Sequence, residues 1–228
     1  MEKKIVHVAI DGPVASGKTS VGKELANILG FLFLDTGVMY RAVTWAVLEN
    51  KIQPSDEIAV TKLVEKLDIQ IRQPTIDDGR MNDILVDEID VTWKIRQPAV
   101  NNSVSEVSQY ASVREILTKK QREIAQNKNI IMVGRDIGTV VLPSANVKIF
   151  LDASVSERVQ RRFKEEELRG SKISLGEILK NVRHRDQIDT MRTIAPLIPA
   201  DNAIIIKTDG KTVEMVASEI IEIINENK

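Results

Sequence analysis

Short β-branched runs alternate along the chain with longer stretches of helical spacing, and that alternation predicts the fold class before any motif is considered. Ile5–Ile10 is an apolar run closed by Asp11-Gly12-Pro13 and reads as a buried strand. Gly17–Leu29 follows with Val21, Leu25, Ile28 and Leu29 at helical intervals and Gly30 as a stop. Phe31–Leu34 predicts a second buried strand, ended by Asp35-Thr36-Gly37, and Val38–Glu49 a helix. Pro54-Ser55-Asp56 opens a further helix that ends near Lys66. Residues 69–96 change character, with short alternating runs (Ile69, Ile71; Ile84, Val86) around Pro74 and an Asp78-Gly79 turn, as in a small antiparallel insert. Pro98 precedes a long amphipathic stretch, Val100–Asn127, which predicts one helix. Ile130–Val133 and Val147–Leu151 predict two more strands, Ala153–Arg169 and Leu175–Met191 charged amphipathic helices, Ala203–Ile206 a fifth strand and Val213–Asn225 a closing helix. Strands that alternate with helices imply an α/β fold with a parallel sheet.

Composition narrows the class. At 228 residues the chain is long enough for one compact domain with a small insert. An apolar fraction of 43% and a charged fraction of 29% are those of a soluble globular protein. With 32 Lys+Arg against 33 Asp+Glu, the net charge of -1 speaks against a dedicated nucleic-acid binder and leaves room for a local basic pocket. The absence of cysteine removes disulfides, thiolate zinc sites and thiol nucleophiles. His7 and His184 are the only histidines and have no carboxylate-rich ligand spacing around them, which disfavours a catalytic zinc. The N-terminal apolar run is too short for a signal peptide, and no apolar stretch is long enough to span a membrane. A soluble cytoplasmic protein is expected, and a monomer, since no long heptad pattern occurs.

The candidate chemistry begins at residues 12–19, G-P-V-A-S-G-K-T, which fit the phosphate-loop pattern G-x-x-x-x-G-K-[ST] between a predicted strand and a predicted helix. Main-chain N–H groups of Gly12, Pro13's neighbours Val14 and Ala15, Ser16 and Gly17, with the helix N-terminus, form a nest for phosphate oxygens. Lys18 reaches the outer phosphates, the Thr19 hydroxyl suits Mg²⁺, and Ser20 adds a second hydroxyl. This pattern means a nucleoside triphosphate. No N-K-x-D or D-x-x-G motif accompanies it (Asn127-Lys128 continues Asn129-Ile130), so a GTPase switch does not fit, and a nucleic-acid motor needs a larger or more basic chain. A compact kinase with a small acceptor remains.

Parallel sheets place ligand sites at the carboxyl ends of their strands. Past Phe31–Leu34 lie Tyr40 and Arg41, and past Ile130–Val133 lie Arg135 and Asp136, on the same edge as the phosphate loop. Guanidinium forks suit phosphate, so these arginines imply an acceptor that already carries one. Arg185, Asp189 and Arg192 are spaced i, i+4, i+7 on one helical face, a spacing that by itself reads most simply as a solvated salt-bridge ladder. Arg158, Arg161 and Arg162, followed by Glu165, Glu166 and Glu167, likewise fit an ordinary charged helix face.

Taken together, D-G-P-V-A-S-G-K-T-S (11–20), L-D-T-G-V-M-Y-R (34–41), S-E-V-S-Q-Y-A-S-V-R (105–114), G-R-D-I-G-T-V-V-L-P (134–143), V-K-I-F-L-D-A-S (147–154), E-R-V-Q-R-R (157–162) and R-D-Q-I-D-T-M-R-T-I-A-P-L (185–197) resemble the bacterial cytidylate kinases, a family of nucleoside monophosphate kinases, over nearly the whole chain. The resemblance implies transfer of the ATP γ-phosphoryl to CMP or dCMP, with Mg²⁺, giving CDP or dCDP, and UMP as a poor acceptor. It implies the P-loop kinase fold: a five-stranded parallel sheet flanked by helices (core 1–66 and 97–228), a β insert that binds the acceptor nucleotide (67–96) and a short helical lid (155–170). Ser105, Arg114 and Asp136 would read cytosine, and Arg41, Arg135 and Arg192 would clamp the acceptor phosphate. Thr36, Tyr40, Arg185 and Asp189 would complete the acceptor side. Lys18 and Arg161, the latter with Arg158 or Arg162, would meet the transferring phosphoryl. Thr36 stands where many members have serine, and Val133 where many have aspartate, which leaves Thr19, water or a neighbour such as Asp35 to organise Mg²⁺.

Overall fold

A computed structural model describes residues 5–168, 170 and 172–226. The first four residues and Arg169, the last residue of a predicted helix and part of the expected lid, lie outside the described residues. In chain order the elements begin β1 (His7–Asp11), α1 (Lys18–Leu29), β2 (Leu32–Asp35), α2 (Gly37–Glu49), α3 (Glu57–Val64), β3 (Ile69–Arg72), β4 (Asp83–Val86) and β5 (Ile89–Asp90). They continue α4 (Pro98–Val107), α5 (Ala111–Ala125), β6 (Ile130–Val133), β7 (Val147–Asp152), α6 (Val155–Leu168), α7 (Leu175–Met191), β8 (Ile204–Lys207) and α8 (Val213–Glu226).

The chain folds as two units, Met1–Asp35 with Arg122–Lys228 and Thr36–Gln121. The first is built on a parallel sheet of five strands in the order β2-β6-β1-β7-β8. Its central strands are near-continuous Val, Ile and Ala because a parallel sheet is covered on both faces. Val8, Ile10, Ile131, Ile149, Leu151 and Ile206 pack on one face against Val21 and Leu25 of α1 and Val216, Ile220 and Ile224 of α8. The pairings Asp35 with Val133, Ile10 with Val133 and Asp11 with Phe150 bring the strand ends, and the loops after them, to one edge. Gly30 ends α1 in a left-handed cap, as its position predicts. Ser174 and Glu177 form a capping box at the start of α7.

The second unit contains the antiparallel sheet β3-β4-β5, with Ile69 opposite Val86 and Leu85 opposite Asp90. The unit holds the expected insert 67–96 together with α2, α3, α4 and most of α5. α2 is apolar almost all round: Met39, Ala42, Val43, Ala46 and Val47 are all buried, and the helix is the middle of this unit. Val100–Asn127 is two helices rather than one. After Val107 the hydroxyl of Ser108 bonds back to the Ser105 carbonyl, and the Arg114 guanidinium takes the Ser108 carbonyl at 3.0 Å, so the chain turns at 108–110.

Candidate active site

β1 runs directly into residues 12–19, and these into α1. At Gly12 φ is +148°, and a methyl group there would lie 2.2 Å from the Leu151 carbonyl oxygen, so only glycine lets the chain pass so close to β7. Ala15 and Gly17 also hold left-handed backbone, the alternation that turns N–H groups toward an anion. Lys18 is buried under the loop, and its Nζ donates to the Pro13 carbonyl at 2.6 Å and to Ser16 Oγ at 3.3 Å. Burial, and the Arg135 guanidinium beside it, hold the Lys18 ammonium well below the usual lysine range. The Thr19 hydroxyl donates to Asp35 Oδ2 at 2.8 Å, which joins the first residues of α1 to the end of β2.

The loop after β6 continues along β1 for one residue, with Gly134 N–H donating to the Ile10 carbonyl at 3.0 Å. Arg135 Nε then donates to Asp189 Oδ2 of α7 at 2.8 Å. Asp136 is buried, with Oδ1 3.6 Å from Nη2 of Arg192. Arg192 stands one residue past α7, where its Nε donates to the Ala195 carbonyl at 2.6 Å and its Nη1 lies 4.0 Å from Asp189 Oδ1. The solvated ladder suggested by the 185–192 spacing is therefore not what forms. Asp189 is buried and serves Arg135 and Arg192, which come from outside its own helix. Burial opposes its ionisation, but those two guanidinium groups with Arg185 outweigh it and hold the carboxyl below its usual range. Arg185 is pushed down to about 10, by burial first and by Arg135 second, and its buried Nε has no hydrogen-bond partner among the described residues. Lys18, Arg135 and Arg185 thus crowd together at the sheet edge against their mutual repulsion, an arrangement suited to a polyanion.

The three arginines of α6 have three different surroundings. Arg161 is aimed at the phosphate loop: a methyl group at Gly17 would lie 3.7 Å from its Nη1. Its Nη1 donates to the Thr208 hydroxyl at 3.0 Å, its Nη2 to the Thr208 carbonyl at 2.6 Å, and its Nε to Glu157 at 3.0 Å. Arg162 pairs with Glu165 and Glu166 on the helix surface, the ordinary charged face the sequence suggested. Arg158 is turned to the main chain of the phosphate loop. It is buried, it grips Asp186 of α7 in a two-pronged ion pair, and it donates to the carbonyls of Ala153 and Val14. Val14 also joins the small core of Val159, Ile178 and Val182, so Arg158 and this cluster brace the loop from behind.

In the second unit, Arg41 on α2 donates to the Ile95 carbonyl at 3.2 Å and to the Asn101 side chain. The Arg114 guanidinium stacks 5.3 Å from the centre of the Tyr40 ring and is buried. Ser105 is half-buried on α4, one turn before Ser108, whose carbonyl Arg114 holds. Thr36 is buried at the start of α2.

The chain matches the family model described as cytidylate kinase over residues 8–226. The chain belongs to the cytidylate kinase family. Among curated relatives, the cytidylate kinase of Carboxydothermus hydrogenoformans is 46% identical over 96% of this chain and 97% of its own. That of Caldanaerobacter subterraneus subsp. tengcongensis is 44% identical over 97% and 96%. A shikimate kinase structure from Bacteroides thetaiotaomicron, 12% identical, superposes with a TM-score of 0.50 over 97% of this chain and 99% of that one, a likeness of fold. As a cytidylate kinase, the protein is an enzyme that phosphorylates CMP with a nucleotide donor.

Two further features of this kinase follow from the geometry. Val133 lies in the sheet core, and a Cβ on Gly22 of α1 would be 2.7 Å from its Cγ1, so this position faces packed hydrocarbon and not a metal. Thr208 and Asp186 were not singled out by the sequence. Thr208 sits just past β8, where the strand-end rule that found Arg135 also points, and donates to the Ser16 carbonyl at 3.2 Å. Asp186 carries no signal that separates it from any exposed helical aspartate.

Proposed function

We propose that this kinase transfers the γ-phosphoryl of ATP to CMP or dCMP, with Mg²⁺, as a cytoplasmic monomer. The observation that carries the reading is the convergence of Arg135 and Arg192 on the buried Asp189, with Arg135 following Gly134, which bonds to Ile10 just before the phosphate loop. Triphosphate binding alone needs Lys18 and the loop. The guanidinium groups of Arg135 and Arg192, tethered by Asp189, suit a second phosphate.

Main-chain amides of 12–17 and Lys18 hold the donor phosphates, and Arg161, directly over Gly17, shifts from Thr208 to the transferring group. Arg135, Arg192 and Arg41 orient the acceptor phosphate, with Arg185 and Asp189 at its ribose. Asp136 accepts from the cytosine amino group, and Arg114 with Ser105 donates to its O2 and N3. Tyr40 supports Arg114 from below, and the Thr36 hydroxyl stands at the start of the helix that bears both Tyr40 and Arg41. The acceptor oxygen is already an anion, so it attacks the γ-phosphorus without a general base while ADP leaves. Hard oxygen donors suit Mg²⁺, and the Thr19 hydroxyl with its 2.8 Å partner Asp35 would hold the ion, which neutralises charge on the donor phosphates.

A coupled ADP-release assay with CMP, dCMP, UMP, AMP and GMP tests the reading. CMP and dCMP turn over, UMP does so poorly, and the purine nucleotides do not. Preferred turnover of UMP or AMP overturns it.

A further inference from the structure

Asp11 is the last residue of β1 and stands immediately before the phosphate loop, yet its side chain serves a different loop. Its Oδ1 accepts from Ile137 N–H at 2.8 Å and its Oδ2 from Gly138 N–H at 2.7 Å. These two amides open a π-type turn, Ile137–Val141, that comes directly after Arg135 and Asp136. On the other side of that pair, Gly134 N–H bonds to Ile10. The two acceptor-side residues are therefore bracketed by the last two residues of β1. Asp11 is only 4% exposed.

We propose that Asp11 is a positioning residue for the acceptor nucleotide, whose carboxylate fixes Arg135 and Asp136 relative to the phosphate loop. Two N–H groups from consecutive residues converge on it, and a carboxylate is the one short side chain that offers each an oxygen. Gly138 completes the fit: a Cβ there would lie 3.4 Å from Asp11 Oδ2 and 3.3 Å from Lys148 Cδ. A buried anion is costly to maintain, and a neutral residue could end β1 equally well, so packing alone does not account for an aspartate here. Misplacing a substrate-holding group by about 1 Å is enough to lower turnover about 100-fold.

The charged groups around this carboxylate are Asp136 from the loop, Lys18 from α1 and, beside Gly138, Lys148 from β7. Burial, with Asp136, raises its pKa to about 6 against the pull of the two amides and Lys18. Protonation turns one acceptor oxygen into a donor and breaks one of the two bonds. CMP binding accordingly weakens as pH falls through about 6.

The inference rests on the assignment of Arg135 and Asp136 to the acceptor, and the experiment separates the two. CMP binding by calorimetry, KM for CMP and for ATP, and kcat are measured from pH 5 to 8 for wild type, Asp11→Asn, Gly138→Ala and Arg135→Ala. Asn keeps one acceptor and turns an amide against an N–H, so Asp11→Asn raises KM for CMP about 10-fold or more, leaves KM for ATP within about twofold, and loses the acid limb that wild type shows. The CMP phosphate itself ionises near pH 6, and the difference between wild type and variant cancels that contribution. Gly138→Ala shifts the same constants in the same direction and decides the matter if Asp11→Asn does not fold. Lowered CMP affinity in Arg135→Ala with unchanged affinity in Asp11→Asn overturns the proposal alone. Equal loss for both substrates in Asp11→Asn also overturns it. Unchanged CMP affinity in Arg135→Ala overturns the site assignment as well.

Discussion

At Asp136 and Arg192 a single ion pair, 3.6 Å long and almost wholly buried, joins two side chains given to opposite ends of the acceptor, its base and its phosphate. On the proposed assignment of Asp136 to the cytosine amino group, Asp136→Ala lowers the CMP-to-UMP ratio of kcat/KM about 5- to 150-fold, as measured in the ADP-release assay. Arg192→Ala raises KM for CMP about 10-fold or more and barely moves KM for ATP. Because the two residues share a contact, the double variant loses less than the product of the two single effects. The contrast between residues that could be read from sequence and those that could not is one of distance along the chain. Lys18 is legible because its partners, Pro13 and Ser16, lie within the same loop. The partners of Asp11 lie 126 and 127 positions away, and that of Thr208 lies 192 away. Arg158 and Arg161 lie within one turn of each other on the same charged helix, and the sequence alone gives no ground to tell them apart. What separates them is Asp186, 28 positions on, which helix periodicity does not reveal.

The elements themselves were more legible than their joints. Strands β1, β2, β6, β7 and β8 fall within a residue or two of their apolar runs; β1 and β6, buried on both faces, announce themselves by composition, and the edge strands β2 and β8 by the same short β-branched or aromatic runs. The break between α4 and α5 was hidden, since a single serine is tolerated inside a helix as well as at its end and only the Ser108 back-bond and Arg114 decide. Helix α1 offers a test of how closely an element can approach the sheet. At Gly22 a Cβ would meet Val133 Cγ1 at 2.7 Å and Phe33 Cε2 at 2.8 Å. Alanine improves helix propensity by about 1 kcal/mol, but the overlap costs about 1–3 kcal/mol, so Gly22→Ala lowers the melting temperature despite the better helix former. In the antiparallel sheet, Arg80 binds Asp78, Asp83 and Asp90 at once, and Asp78 also accepts from Trp93. Arg80→Met destabilises the protein far more than Arg72→Met, whose salt bridge with Glu88 is exposed, as thermal melts of the two variants will show. The same three carboxyls are held below their usual range, chiefly by side-chain hydrogen bonds, so their contribution is full above pH about 4 and lost as pH falls below it.

On the scale of the whole molecule, the chain divides into its two compact units at residues 35 and 121. The all-round apolar pattern of α2 tells that the helix is buried but not with which partners, and here they are α4 and the antiparallel sheet. The clustered cations of the first unit tax its stability. Lys18 has a native pKa below its unfolded value, so its charged form disfavours the fold, and stability rises as pH climbs toward about 10. Lys18→Met therefore abolishes turnover while melting at or above the wild-type temperature in phosphate-free buffer. Added phosphate raises the wild-type melting temperature, by about 2.7 kcal/mol of stability at 100 times its dissociation constant, and raises that of the variant less.

The strand order has a further consequence for folding. β1 is the middle strand, and its neighbours β6 and β7 begin only at Ile130 and Val147. The walls on either side of the nucleotide cradle are therefore supplied by pairings between remote segments, and closing such long loops before any contact rewards them is what makes a topology slow to fold.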